Sequence, residues 1–87
     1  MRKIHKQTLS HGLNRILMSR HDKVVHVEAQ FDTVTMWYEH STEDPIQEDR
    51  KYLVVGTGES IPDFGLTYLG MAQIDEGFLI QHVYKVG

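Results

Sequence analysis

Residues 25–39 read VHVEAQFDTVTMWYE, and their spacing decides the fold. Val25, Val27, Ala29 and Phe31 alternate with His26, Glu28 and Gln30. Val34, Met36 and Tyr38 then alternate with Thr33, Thr35, Trp37 and Glu39. A period of two, rich in β-branched and aromatic residues, marks strands with one buried face. The link around Phe31-Asp32 is short enough to make the pair an antiparallel hairpin. Phe-Asp suits a tight turn poorly, since such turns favour Asn-Gly or Asp-Gly, so a bulge is expected there. Trp37 falls on the otherwise polar face. Either another part of the chain covers that face, or Trp37 sits at an interface, where aromatic residues are enriched.

The flanking segments carry the same signal less cleanly. Residues 2–9 (RKIHKQTL) alternate weakly and read as an edge-like strand, closed by a Ser10-His11-Gly12 turn. Residues 13–20 (LNRILMSR) hold enough Leu, Ile and Met for a short helix or a strand; their length and bounding turn signals favour a strand. Residues 39–50 (EHSTEDPIQEDR) gather Glu39, Glu43, Asp44, Glu48 and Asp49 around Pro45. They read as a solvated connector, or as one helical turn capped by Ser41 or Thr42. The acids lack the spacing and the glycine of an EF-hand loop, so calcium is rejected. Lys51–Val55 is a compact apolar strand, and 66–74 another with a bulge at Gly70. Asp75-Glu76-Gly77 makes a turn. In the last strand Phe78, Ile80, His82 and Tyr84 alternate with Leu79, Gln81 and Val83. The whole reads as one all-β (or β-rich α+β) domain over residues 1–87. It has six or seven short, mostly antiparallel strands in a small sandwich or barrel, and at most one short helix.

Composition narrows the chemistry. A chain of 87 residues buries only about 60% of its unfolded surface, and without cysteine it has no disulfide to compensate, so self-association is expected. The absence of cysteine suits a cytoplasmic location. No apolar run approaches the about 20 residues of a membrane span. Residues 1–23 hold six basic side chains against the single acid Asp22, a balance of +5; residues 24–87 hold three basic and eleven acidic, a balance of −8. Either the basic third presents a face to an anionic partner, or the two parts neutralise each other across a sheet. A pI near 6 argues against a sequence-independent nucleic-acid polymer binder.

Gly56-Thr57-Gly58 follows a strand as a dinucleotide loop would, but Ile61 stands at the third glycine position and Pro62 follows where a helix should begin. Two readings stay open: a sharp turn, or a nest of backbone N–H groups that binds an anion. None of the six histidines (His5, His11, His21, His26, His40, His82) has helical metal-ligand spacing, so neither metal nor cofactor is expected. No Gly-x-Ser-x-Gly elbow, triad or carboxylate pair stands out, and no catalytic residue is assigned.

Arg-Lys-Ile-His-Lys (2–6), the hairpin ending in Trp37, Val-Gly-Thr-Gly (55–58) with Ile-Pro-Asp (61–63), Tyr-Leu-Gly (68–70) and Gln-His-Val-Tyr (81–84) together resemble a family of small bacteriophage proteins whose domain has no known function. The resemblance spans almost the whole chain and is most specific at Gly-Thr-Gly…Ile-Pro-Asp. Relatives often carry Asn-Gly where this chain has Phe31-Asp32. The family brings no catalytic residues. What the resemblance implies is an accessory protein of the host cytoplasm that counters host defence. The expected function is to bind and sequester a small anionic ligand such as a signalling nucleotide, as a homo-oligomer and without catalysis. The alternative is an inhibitor or modulator that binds a host protein. Candidate ligand residues are Gly56, Thr57, Gly58, Trp37, Arg15, Arg20 and His82.

Overall fold

The computed structural model describes residues 1–87. Seven strands form two sheets, and there is no helix. They are β1 (Arg2–Thr8), β2 (Gly12–Ser19), β3 (Lys23–Gln30), β4 (Thr33–Ser41), β5 (Gln47–Gly56), β6 (Leu66–Ile74) and β7 (Leu79–Val86). One sheet has the order β1-β4-β3, the other β2-β5-β7-β6, and all pairings are antiparallel. The expected all-β sandwich is what forms. Alternation puts Val27, Val34 and Met36 on the inner face of the first sheet. Met18, Tyr52, Val54, Ala72 and Val83 line the inner face of the second, and Leu9 closes the core from the link between β1 and β2.

The sheets meet along one flank, where β3 and β6 run side by side in the same direction. A Cβ at Gly70 would sit 3.1 Å from that of Val27, and the Asp75 N–H donates to Asp32 Oδ1 at 2.7 Å. No ladder pairs these two strands, so side chains alone close this flank.

Three local expectations are corrected. Strands β4 and β5 reach into the segment read as a connector, leaving only residues 42–46 between them. Its acids are tolerated in strands because cations meet them: Arg2 bonds Glu39 at 3.3 Å, and Arg50 bonds Glu48 at 2.8 Å. Asp44 turns the remaining link by accepting from the Ile46 N–H at 3.0 Å, an Asx turn before the strand resumes. No helical turn forms at Ser41 or Thr42. The bulge in the first hairpin lies between Val24 and His26, so Val25 points outward. The link at Phe31-Asp32 is instead a two-residue turn, flanked by the Gln30–Thr33 pair.

That turn has φ +52 at Phe31 and +58 at Asp32, the positive pair that tight hairpins require. For a bulky residue the left-handed region costs about 1–2 kcal/mol, whereas Asn tolerates it. Phe31→Asn is therefore expected to stabilise the domain by about 1 kcal/mol, read as a higher urea midpoint at unchanged slope. A midpoint at or below the wild type would refute the strain argument.

Candidate functional site

The chain after β5 turns at Gly56–Gly58, and the backbone donors of that turn are largely committed. The Gly56 N–H donates to Glu59 Oε1 at 2.7 Å, Thr57 N–H to the Ile80 carbonyl at 3.2 Å, and Glu59 N–H to the Gly56 carbonyl at 3.1 Å. One donor thus goes to the Glu59 carboxylate and two to backbone carbonyls, which leaves few for an outside anion. His11 Nε2 lies 2.7 Å from the same carboxylate oxygen and, facing an acceptor, must donate. Donation from His11, then from Gly56, holds the Glu59 carboxyl below its ordinary 4.5. Because the folded value is depressed, this support is present above the unfolded value and is lost as the pH falls through the folded one. A side-chain NMR titration should place the Glu59 midpoint below 4.5, and His11→Ala should move it back up. An unmoved midpoint in that variant would remove His11 from the account.

Beside this turn, His82 on β7 is held at both ring nitrogens: Thr57 Oγ1 lies 2.8 Å from Nε2 and Tyr68 OH 3.0 Å from Nδ1. The Tyr68 ring meets Tyr84 edge-on at 5.2 Å. The Thr57–His82 distance suits a nucleophile and base, but the third member is a phenol. It orients the ring without the negative charge that a carboxylate offers to an imidazolium. A cavity of about 210 Å³ opens here, lined among others by Thr57, Gly58, Glu59, His82 and Tyr84.

Of the residues read from sequence as ligand-binding, the structure gathers Gly56, Thr57, Gly58 and His82 in that cavity. It does not bring the other three to its walls. Arg15 is on β2 opposite Lys51, on the outer face that His82 shares, but it does not line the cavity. Arg20 is paired with Asp44 at 3.3 Å. Trp37 is on the other sheet, half-buried between register partners Lys6 and His26, its ring 5.6 Å from that of His26. The basic N-terminal third is thus partly neutralised by acids of residues 39–44: Glu43 pairs with the N-terminus, Glu39 with Arg2 and Asp44 with Arg20.

A second cavity gathers two of the cations that no carboxylate meets. At the end of the sandwich holding the β2–β3 link, a cavity of about 200 Å³ is lined by Asp22, Lys23, Val24, Arg50, Tyr52, Leu69 and Lys85. Arg50 is buried, and its five donors are all engaged, by the carbonyls of Asp22, Ser19 and Arg20, by Glu48 and by Tyr52 OH. It offers the cavity no hydrogen bond, and its charge is met by Glu48. Asp22 is occupied too: its carboxylate takes the Ser19 N–H at 3.0 Å and His40 Nδ1 at 3.0 Å. The carboxylates of the ion pairs engage Arg2, Arg20, Arg50, the N-terminus and histidines, and none of them reaches Lys23 or Lys85. Alternation with buried Val83 puts Lys85 on the inner face of β7, where it remains half-buried. Sequence reasoning missed this site; the inward phase of Lys85 was the one available signal.

No curated protein and no solved structure matches the chain. A family model described as Domain of unknown function (DUF7352) matches residues 1–87, and the protein belongs to that family.

Proposed function

We propose that the protein is a non-enzymatic binding module that captures a small anionic ligand, and that the anionic group docks between Lys23 and Lys85. The observation that carries the reading is the pair of lysines without a carboxylate partner on one cavity, where the Arg50 charge is already met by Glu48. Lys85 is half-buried without a carboxylate partner, and a bound anion would give it a charge-assisted hydrogen bond, with the exposed Lys23 adding a second from the rim. A cavity of about 200 Å³ is below the usual range for a drug-sized ligand, so it suits a phosphate or carboxylate group with the rest of the molecule on the rim. A signalling nucleotide held by a bacteriophage accessory protein against host defence is the ligand class this reading takes. The Gly56–Gly58 turn is not part of it, because the Gly56, Thr57 and Glu59 N–H groups already have acceptors within the chain.

Self-association belongs to the same reading. The outer face of the four-stranded sheet carries a row, Leu13, Leu53, Tyr84 and Tyr68, that a second copy would cover. Sedimentation should show a dimer or larger species that Leu13→Asp dissociates.

The test is a thermal-shift panel of inorganic phosphate, cyclic dinucleotides and ADP-ribose. At least one nucleotide should raise the melting temperature and be recovered intact after denaturation. A ligand at one hundred times its Kd adds about 2.7 kcal/mol to stability. Lys23→Met and Lys85→Met should each remove the shift while leaving the fold intact. A flat panel, or a shift that survives both variants, would overturn the proposal, and chemically altered ligand would make the protein an enzyme.

A further inference from the structure

The opposite end of the sandwich carries two phenylalanines that folding does not explain. Phe31 is 90% exposed at the tip of the β3–β4 turn, and Phe78 is 82% exposed at the end of the β6–β7 turn. The tips are neighbours, bridged by the Asp75 N–H to Asp32 bond. Phe31 stands in a left-handed conformation that a smaller residue would adopt with less strain, and it is uncovered besides. Strain and exposure together point away from stability and toward contact. Between the tips and the β1–β2 link lies a cavity of about 190 Å³ lined by Leu9, Val34, Val54, Ile74, Asp32 and Gln81, among others. The Oε1 atom of Gln81 is buried without a protein donor.

We infer that this end is a docking surface for a protein segment that is apolar at its centre and basic at its edges. Phe31 and Phe78 act as paired anchors, as aromatic residues do at the centres of interfaces. A backbone N–H of the incoming segment would satisfy Gln81 Oε1. Charge selects the partner's chemistry. Asp32, Asp75 and Glu76 lie in the two turns themselves, against Lys6 near Phe31. Asp75 and Glu76 have no cationic partner, so they are free to meet Lys or Arg of the incoming segment. The same acids oppose an anionic lipid surface, and the site is remote from Lys23 and Lys85.

The experiment uses the full-length protein against a display library of random peptides, with counter-selection on a Phe31→Asn/Phe78→Ser double variant. Enriched peptides should combine aliphatic or aromatic residues with flanking Lys or Arg. Either single variant should weaken them by about ten-fold or more, a loss typical of anchor residues. Both variants should melt no lower than the wild type, which separates contact from folding. No enrichment, peptides without basic residues, or affinity unchanged by both variants would overturn the inference. So would a dimer that Phe78→Ser dissociates, or wild-type protein that floats with phosphatidylcholine–phosphatidylserine vesicles.

Discussion

Arg50→Leu is expected to cost the fold about 3 kcal/mol. The guanidinium ties the carbonyls of Ser19, Arg20 and Asp22 to β5, at 3.3, 2.9 and 2.7 Å. Those three groups belong to the tight link that carries the chain from one sheet to the other. Leu matches the buried stem but donates nothing, so carbonyls at the link lose their partner, at about 1–3 kcal/mol for each that water cannot reach. Removing a buried cation also returns its desolvation cost, which is why the net figure is lower than the sum. An 87-residue domain commands on the order of 5–10 kcal/mol in all. The variant should therefore lose a large share of its urea resistance. Arg50→Lys should recover little, since an ammonium does not reproduce the fork. A loss below about 1 kcal/mol for Arg50→Leu would mean that the link holds itself.

Gly70→Val should be at least as damaging, by a different route. Gly70 has φ +154 and sits at the bulge between Tyr68 and Gly70 on β6. A side chain there meets Val27 Cβ at 3.1 Å and Cγ2 at 3.6 Å. The backbone cost is about 1–2 kcal/mol, and overpacking adds about 1–3 kcal/mol. Because the contact lies where the sheets converge, relief requires the sheets to move apart. Val27→Ala in the Gly70→Val background should restore part of the loss, even though Val27→Ala alone is destabilising. Strictly additive losses in that double-mutant cycle would show that the two residues do not oppose each other.

Much of the fold was legible, because alternation at Val27, Val34 and Met36 follows from burial on one side of a pleated strand. What was illegible depended on partners distant in the chain. Glu39, Glu48 and Asp49 read as solvent residues, yet they continue strands, Glu39 with a cation from the far end of the chain, Arg2, and Glu48 with Arg50 of its own strand. Val25 was assigned inward by alternation, and a bulge put Val24 there instead. The candidate site was less legible still. Gly56–Gly58 was correctly placed at a turn, but the carboxylate that takes the Gly56 N–H lies only a residue beyond and was read as nothing in particular. Lys23 on β3 and Lys85 on β7 stand far apart in sequence and line one cavity only because the two sheets face each other. Arg15 and Arg20 supplied the expected charge, but the first faces outward and the second is spent on Asp44.

The unladdered flank between β3 and β6 gives the molecule its line of least resistance. The ladder within each sheet fixes a rigid leaf, but opening the leaves along this line breaks apolar contacts and the single Asp32–Asp75 bond, not a row of hydrogen bonds. Its two walls, Val27–Ala29 and Met71–Gln73, already enclose about 390 Å³. Amides on the outward edges of these strands should exchange with solvent far faster than those of β5 and β7. Val24, Leu69 and Lys85 line one cavity at the end of this same line, so separating the leaves there would widen its mouth.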